Sequence, residues 1–427
     1  MIPSLRAIPF LFLLAPLAAC TAPSIEGAET SSSEDAVTSV PQSVVERQSI
    51  GNCWIYAHAS WLESIHRTAT GETYDSSQSY QTYWHWFEQL SNGETTGESE
   101  IQTGGWFRTS NYLTERYGIA PEAAFIPEDV GNEMSARQKS ALETVNREMK
   151  EGGRLATAEA RRNRTLVRQV LDDAFQLSVE VRAQLDQVFG NNVSRNLTTR
   201  SRTTNRFVAE TTNTFVVRPT DFAVAYTRFD AVTKTSTRVD TTLAQAMLDW
   251  RSTSYSVGNG RAQLTRVQRA LHDQQPVVVS WFVDFNAMSN FDQPGAPRGS
   301  FTKVLLDRQG PGRQGGHMTV FHDYEARLPN GEVLAAGVDL DKNDPRLTAA
   351  LDPATTIVKL RVKNSWGSAR ADRGFVPELP GYHDLHMDYL NGPVKACTET
   401  ENLKPLAERG CTMNRTPLNE LILPPGY

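Results

Sequence analysis

Three short segments of this chain hold residues that together do nucleophilic chemistry. Cys53 opens the segment Cys53-Trp54-Ile55-Tyr56-Ala57-His58, whose apolar spacing is helical. The thiol therefore falls at a helix start, where unpaired amides and the helix dipole favour a thiolate. Gly315-Gly316-His317-Met318-Thr319-Val320 places a histidine at the beginning of a strand, with two glycines leaving room beside it. Lys363-Asn364-Ser365-Trp366-Gly367 closes another strand with an amide side chain. A thiol nucleophile needs a neutral imidazole to take its proton, and that imidazole needs an acceptor on its second nitrogen. Cys53, His317 and Asn364 supply nucleophile, base and orienter in that order, and Trp366 can shield the histidine–asparagine hydrogen bond from water. Gln48, a little before the cysteine, offers a side-chain amide to a developing oxyanion. A Cys-Trp pair alone is equally the mark of a buried structural cysteine, so the other two segments carry the argument.

The elements that must position these residues follow from periodicity. Residues 53–67 read as a core helix, and 76–90 as an aromatic-rich second helix with Ser76 or Ser77 as its N-cap. Gly104-Gly105 interrupts the chain before a third helix ending at Tyr117. Residues 134–189 favour helix by composition, with their arginines on a solvated face, whereas 191–245 mix Thr, Val, Phe and Arg in patches that fit strands or loop. Ala262–Asp273 is helical, and residues 276–285, 317–324 and 355–364 read as strands. A helical first half followed by a β-rich second half predicts an α+β fold of two lobes. Within it, about 130–245 is a helical insertion and about 392–427 a C-terminal tail.

Cys-Trp on a helix, Gly-His before a strand and Asn-Ser-Trp-Gly resemble the three signatures of papain-like cysteine peptidases. Ser77-Gln78-Ser79-Tyr80, Gly104-Gly105-Trp106, Tyr117-Gly118-Ile119-Ala120-Pro121-Glu122, Gln275-Pro276-Val277-Val278-Val279 and Arg373-Gly374-Phe375 are similar to successive segments of the bleomycin hydrolase branch. The resemblance covers roughly 46–125 and 260–376. It implies a papain-like two-lobe fold and peptide-bond hydrolysis through a thioester on Cys53. It makes Gln48 an oxyanion donor beside the Cys53 amide, and Gly104, Gly105 and Trp366 substrate-binding. Gln48 stands five positions before Cys53, one fewer than is usual in the family. The resemblance also implies that the tail restricts one end of the cleft; the alternative is a tail packed on the back of a lobe. Other readings of the same residues are a papain-fold hydrolase of non-peptide amides or acyl groups, and an inactive fold used for binding.

The first 19 residues read as an export signal, and Leu17-Ala18-Ala19-Cys20 resembles a lipobox, which implies lipidation of Cys20. Thr21 after it, by resemblance to enteric lipoproteins, implies the outer membrane of a bacterial cell envelope. Residues 20–44, rich in Ser, Thr, Glu, Ala and Pro, are expected to be a disordered tether to an enzyme spanning 45–427. With Cys20 and Cys53 assigned, Cys397 and Cys411 remain for a disulfide in an oxidising compartment, whose short loop is worth ~3 kcal/mol on the chain-entropy model. A net charge of -6 gives no field for nucleic acid, so the expected partners are a peptide or protein substrate and the membrane. No cofactor or metal is expected: Asp339–Asp344 lacks the glycine and glutamate of a calcium loop, and His383 and His386 read as surface histidines. His58 and His66 read as structural.

Overall fold

The computed structural model describes residues 40–95, 100–209, 215–370, 372–402, 404–405 and 408–427. The export signal, Cys20 and most of the tether lie outside the described residues.

The helical lobe is built on α1 (Cys53–Thr70), α2 (Gln78–Ser91) and α3 (Phe107–Tyr117). Every residue of α1 from Cys53 to Ile65 is buried, as expected of a helix that is apolar on most of its circumference and runs through the middle of a molecule. It ends where Gly71 takes a left-handed turn (φ +77°) and returns its N–H to the Arg67 carbonyl. Ser77 is the N-cap of α2, its hydroxyl accepting from the Tyr80 N–H at 3.1 Å. The aromatic face of α2 supplies Trp84, which stacks on Tyr117 of α3 at 4.0 Å and 3°.

After the short α4 (Glu122–Phe125), the insertion contributes α5 (Gln138–Met149), α6 (Ala158–Arg162), α7 (Arg164–Ala174) and α8 (Val179–Phe189). Its apolar residues join the same core as α1 and α2, so it completes the helical lobe and is not a body of its own. The solvated arginine face holds for Arg147, Arg154 and Arg162, which are exposed, but not for Arg161 and Arg168, which are buried. Arg161 donates to the Leu155 carbonyl at 3.0 Å, and Arg168 pairs with Asp172 at 3.1 Å, which also accepts from the Tyr83 hydroxyl at 2.7 Å. Here the charge is drawn inward because acceptors meet it, the Leu155 carbonyl for Arg161 and, for Arg168, Asp172 of the same helix and Asp186 of α8 at 3.2 Å. The uncertain stretch before 245 holds an antiparallel hairpin, β1 (Ala223–Asp230) and β2 (Thr235–Thr242). Its first strand buries Val224, Ala225 and Tyr226, and α9 (Leu243–Asp249) follows it.

The second lobe is an eight-stranded sheet. Its members are β3 (Arg251–Ser254), β4 (Val277–Asp284), β5 (Ser300–Phe301), β6 (Gln314–Arg327), β7 (Val333–Leu334), β8 (Thr356–Lys363), β9 (Tyr382–His386) and, beyond the small hairpin of β10 (Val394–Ala396) and β11 (Met413–Arg415), β12 (Leu418–Leu423). The order is β3-β12-β4-β6-β8-β9-β5, with β7 on β6 and only the β5–β9 pair parallel. All eight residues of β4 are buried, which explains its unbroken apolar run. Helix α10 (Gly260–His272) supplies Leu264, Val267 and Leu271 to the sheet's own core. The fold is therefore α+β, a helical lobe followed by a β-rich one, with α1 laid against β6 where they meet.

Two boundaries differ from the sequence expectation. The ordered body begins before residue 45: Val40 is fully buried and its N–H bonds the His322 carbonyl at 3.0 Å, so residues 40–44 belong to the body and not to the tether. The tail is a core strand, inserted between β3 and β4, with Leu421, Ile422 and Leu423 at most 1% exposed. It finishes at a buried Tyr427, whose hydroxyl bonds Asp273 and whose carbonyl accepts from Arg266, both on or beside α10. Upstream of the strand the tail packs on the start of β6, where the Lys395 carbonyl accepts from Gln314 at 2.7 Å and the Cys397 N–H donates to Gln314 at 2.8 Å. Cys397 and Cys411 form a disulfide just before β12. The Asp339–Asp344 stretch is a polar turn in which Asp344 caps a short helix, accepting from the Arg346 N–H at 2.9 Å.

Candidate active site

The three segments converge where α1 meets the sheet. Cys53, a free cysteine, is the first residue of α1 and only 8% exposed. His317 lies on β6 opposite Trp281 of β4, and Asn364 follows the last residue of β8. Backbone N–H groups of Met318, next to His317, and of Trp54 and Cys53 favour the thiolate. Burial opposes them and wins, pushing the Cys53 thiol up to about 11. The expectation that the helix start lowers this pKa is thus reversed in the unliganded protein.

His317 Nε2 lies 2.7 Å from Asn364 Oδ1. The tautomer follows from the neighbours. The Ser365 backbone N–H donates to Asn364 Oδ1 at 2.8 Å, and since an amide N–H can only donate, that atom is the oxygen. His317 Nε2 therefore carries a proton and donates it, leaving Nδ1 as the basic nitrogen. Trp366 stacks on the imidazole at 4.8 Å and 21°, and Trp281 packs edge-on at 5.5 Å. Burial pulls His317 down to about 4, partly opposed by the Asn364 bond, so the ring is neutral at pH 7. At rest the pair is thus a neutral thiol and a neutral imidazole.

Sequence reasoning missed His383. It sits on β9, not on a helix, is 1% exposed, and its Nδ1 lies 3.2 Å from Asn364 Nδ2. The Asn364 amide is thereby held at both ends, oxygen to His317 and nitrogen to His383. Trp366 touches both imidazoles, since its ring is also 5.0 Å from that of His383. Burial pulls His383 down to about 3 and keeps it an acceptor. The only sequence signal was a histidine three residues from another, a spacing that puts the two on opposite faces of a strand. His386, read as a surface residue, is half-buried on the same strand.

Gln48 is fixed from the asparagine segment. Its backbone N–H bonds the Ser365 carbonyl at 2.9 Å, and its side-chain oxygen accepts from the Ser365 hydroxyl at 2.6 Å. Its Nε2 donates to the Ile50 carbonyl at 2.7 Å, which leaves one amide hydrogen for a ligand. Asn52, the other side-chain amide beside Cys53, is spent on Thr82 at 3.0 Å and Gln138 at 2.9 Å.

Gly104 and Gly105 run past the start of α1. A Cβ on Gly105 would meet the Trp54 ring at 2.5 Å, so the close approach itself requires glycine, while Trp54 Nε1 anchors the strand on the Thr103 carbonyl at 2.9 Å. Around Gly104, Gly315 and Gly316 a Cβ would meet nothing within 4 Å. His58 and His66 are structural: His58 bonds Asn111 at 2.9 Å and His66 the Ala223 carbonyl at 2.7 Å. Among the described residues there is no cluster of three or more groups suited to a metal. Behind the site, Lys363 is buried on β8 and donates to Ser43 at 2.7 Å and Ser60 at 2.9 Å, with Glu63 and Glu46 nearby. Burial pulls the lysine down and both carboxyls up.

No protein-family profile and no curated protein matches this sequence. Among solved structures the chain is similar to the cysteine protease and lectin-like domains of Cwp84, a surface layer associated protein of Clostridium difficile, at 10% identity and a TM-score of 0.30. The match covers 90% of this chain and 52% of that one, so the chain spans about half the length of the structure it matches.

Proposed function

We propose that this protein is a papain-like cysteine peptidase, hydrolysing peptide bonds through a thioester acyl-enzyme on Cys53. The observation that carries the reading is the buried His317–Asn364 hydrogen bond of 2.7 Å beneath Trp366, on the strand whose next residue bonds the Cys53 thiol. In the mechanism this supports, His317 Nδ1 accepts the thiol proton as sulfur attacks the carbonyl, so the ion pair forms with the bond and not before it. The free N–H of Gln48 and the Cys53 amide face the developing oxyanion. The imidazolium then protonates the departing amine, and water, activated by the same nitrogen, hydrolyses the thioester. Gly104 and Gly105 offer backbone to the substrate, and Trp366 lines the leaving side. The kinship with the bleomycin hydrolase branch rests on the motif context, and the lipid anchor on Cys20, with its bacterial outer-membrane location, on the lipobox alone.

Digestion of a peptide library by the wild type and by Cys53→Ala tests the reading. Cleavage products with the wild type only are expected; equal products, or none from the wild type, would reject it.

A further inference from the structure

We infer that the leaving-group side of the cleft takes a carboxylate, held by Arg313 and Arg373, whose guanidinium groups both lie over the Phe285 ring. The inference rests on the proposed peptidase reading, because that chemistry says where the leaving group lies. The departing amine takes its proton from His317, so the part of the substrate beyond the cleaved bond passes the imidazole and the Trp366 ring that covers it. Next to Trp366, at 5.4 Å, is Phe285, the residue after β4. The Arg373 guanidinium lies 4.3 Å from the Phe285 ring and 5.8 Å from that of Trp366, and the Arg313 guanidinium lies 4.5 Å from Phe285. A guanidinium laid on an aromatic face keeps its N–H edge free, and that edge matches a carboxylate in two parallel hydrogen bonds.

The charge balance favours the same ligand. The chain as a whole carries -6, yet here Arg313, Arg370 and Arg373 stand against two carboxylates, Asp372 and Asp284, and Asp284 already accepts from the Gly312 N–H at 3.0 Å and from Gln314 at 2.7 Å. Asp372 pairs with Arg373 at 3.0 Å, but it is shared with Arg370 at 2.9 Å. Arg313 is exposed, and among the described residues no carboxylate lies within ion-pair distance of it. Arg373 Nε is buried without a hydrogen-bond partner among the described residues. Burial pulls the Arg373 guanidinium down; Asp372 opposes this and Arg313 adds to it, a repulsion that an incoming carboxylate would relieve. Between Arg313 and His317 stand Gln314, tied to Asp284 and to the Lys395 carbonyl at 2.7 Å, and Gly315 and Gly316, where a Cβ would meet no atom of the described residues within 4 Å, which leaves room along the strand towards the imidazole.

The carboxylate can be an Asp or Glu side chain or the free C-terminus of a short peptide. The test is a peptide series of one sequence carrying Asp, Ala or Lys at the first or second position after the cleaved bond. Each is made as free acid and as amide, and assayed with the wild type, Arg313→Ala and Arg313→Glu. We expect kcat/KM for the carboxylate-bearing peptides to exceed that for the Lys peptides by about tenfold, the size of a charge-assisted hydrogen bond. The preference should shrink with added salt, vanish in Arg313→Ala and reverse in Arg313→Glu. A gain for internal Asp identifies the side chain as the source, and a gain for free acids alone identifies the chain terminus. Equal cleavage of Asp, Ala and Lys peptides within about twofold, or an unchanged preference in Arg313→Glu, overturns the inference while the peptidase reading stands. If no peptide is cleaved and a peptidyl thiol-alkylating probe leaves Cys53 unlabelled, both fall.

Discussion

At Cys53 two effects of opposite sign act on one thiol, the amides at a helix start and the loss of water on burial, and in the resting protein the second is larger. Under the proposed mechanism the proton then leaves only as the substrate is attacked, so His317 must be neutral for turnover. Its pKa falls from 6.5 to about 4, and we expect kcat/KM to stay level from neutrality down and to drop as the pH falls through about 4. An acid limb near 6.5 would contradict this. The same depression contributes stability that is fully present above 6.5 and lost as the pH falls through about 4. Cys53→Ala and His317→Ala are each expected to reduce peptide hydrolysis by roughly 10⁴-fold or more with an unchanged circular dichroism spectrum. Asn364→Ala should be milder, since it orients the base and transfers no proton. His383 acts one step further out, as a positioning residue. His383→Phe leaves a buried amide N–H without an acceptor and should lower kcat about tenfold with little change in KM, while His383→Gln, which keeps an acceptor, should recover most of it. A loss shared equally by both variants, or one falling on KM, would mean that the side chain serves packing only.

Among the elements, β12 separates what local pattern tells from what contacts tell. Leu421-Ile422-Leu423 was legible as an apolar run in need of a surface, and the sheet supplies it as an interior strand between β3 and β4. Fully burying one such side chain is worth about 1.5–3 kcal/mol, and Leu418 is buried with the other three. Their sum is comparable with the whole stability of a domain, about 5–15 kcal/mol. A chain ending at Asn391 is therefore expected to lose its cooperative urea transition and to aggregate through the exposed edge of β4. A soluble, cooperatively folding truncated chain would show that the strand is dispensable. The insertion makes the same point in the helical lobe. Its amphipathic helices were readable from composition, but that Arg161 and Arg168 point inward depends on the Leu155 carbonyl for the first and, for the second, on Asp186 of α8 joining Asp172 of its own helix.

For the whole molecule, the described residues contain no helix long and apolar enough to cross a membrane. Any attachment through the proposed lipid therefore depends on Cys20, which lies outside the described residues. Cys20→Ser is expected to move the protein from the membrane pellet to the soluble fraction, and retention with the signal removed would reject the anchor. The sequence by itself determined the mixed class and the main helices and strands, and it singled out Cys53, His317 and Asn364, whose roles as nucleophile, base and orienter belong to the proposed mechanism. Periodicity and turn residues are local, and Cys53, His317 and Asn364 stand in motifs whose chemistry is local too. It also placed the Cys397–Cys411 disulfide, since only two cysteines were left to pair. Tertiary structure alone decided the rest. It set the protonation of Cys53, because burial depends on how α1 meets β6. It gave the anchoring of Gln48 by Ser365, 317 residues away in the chain. It brought His383 behind Asn364, the tail into the sheet, and Val40 into the body. Each is a contact between segments distant in sequence, and a hydrogen bond or a buried face of that kind leaves no periodic trace in either segment alone.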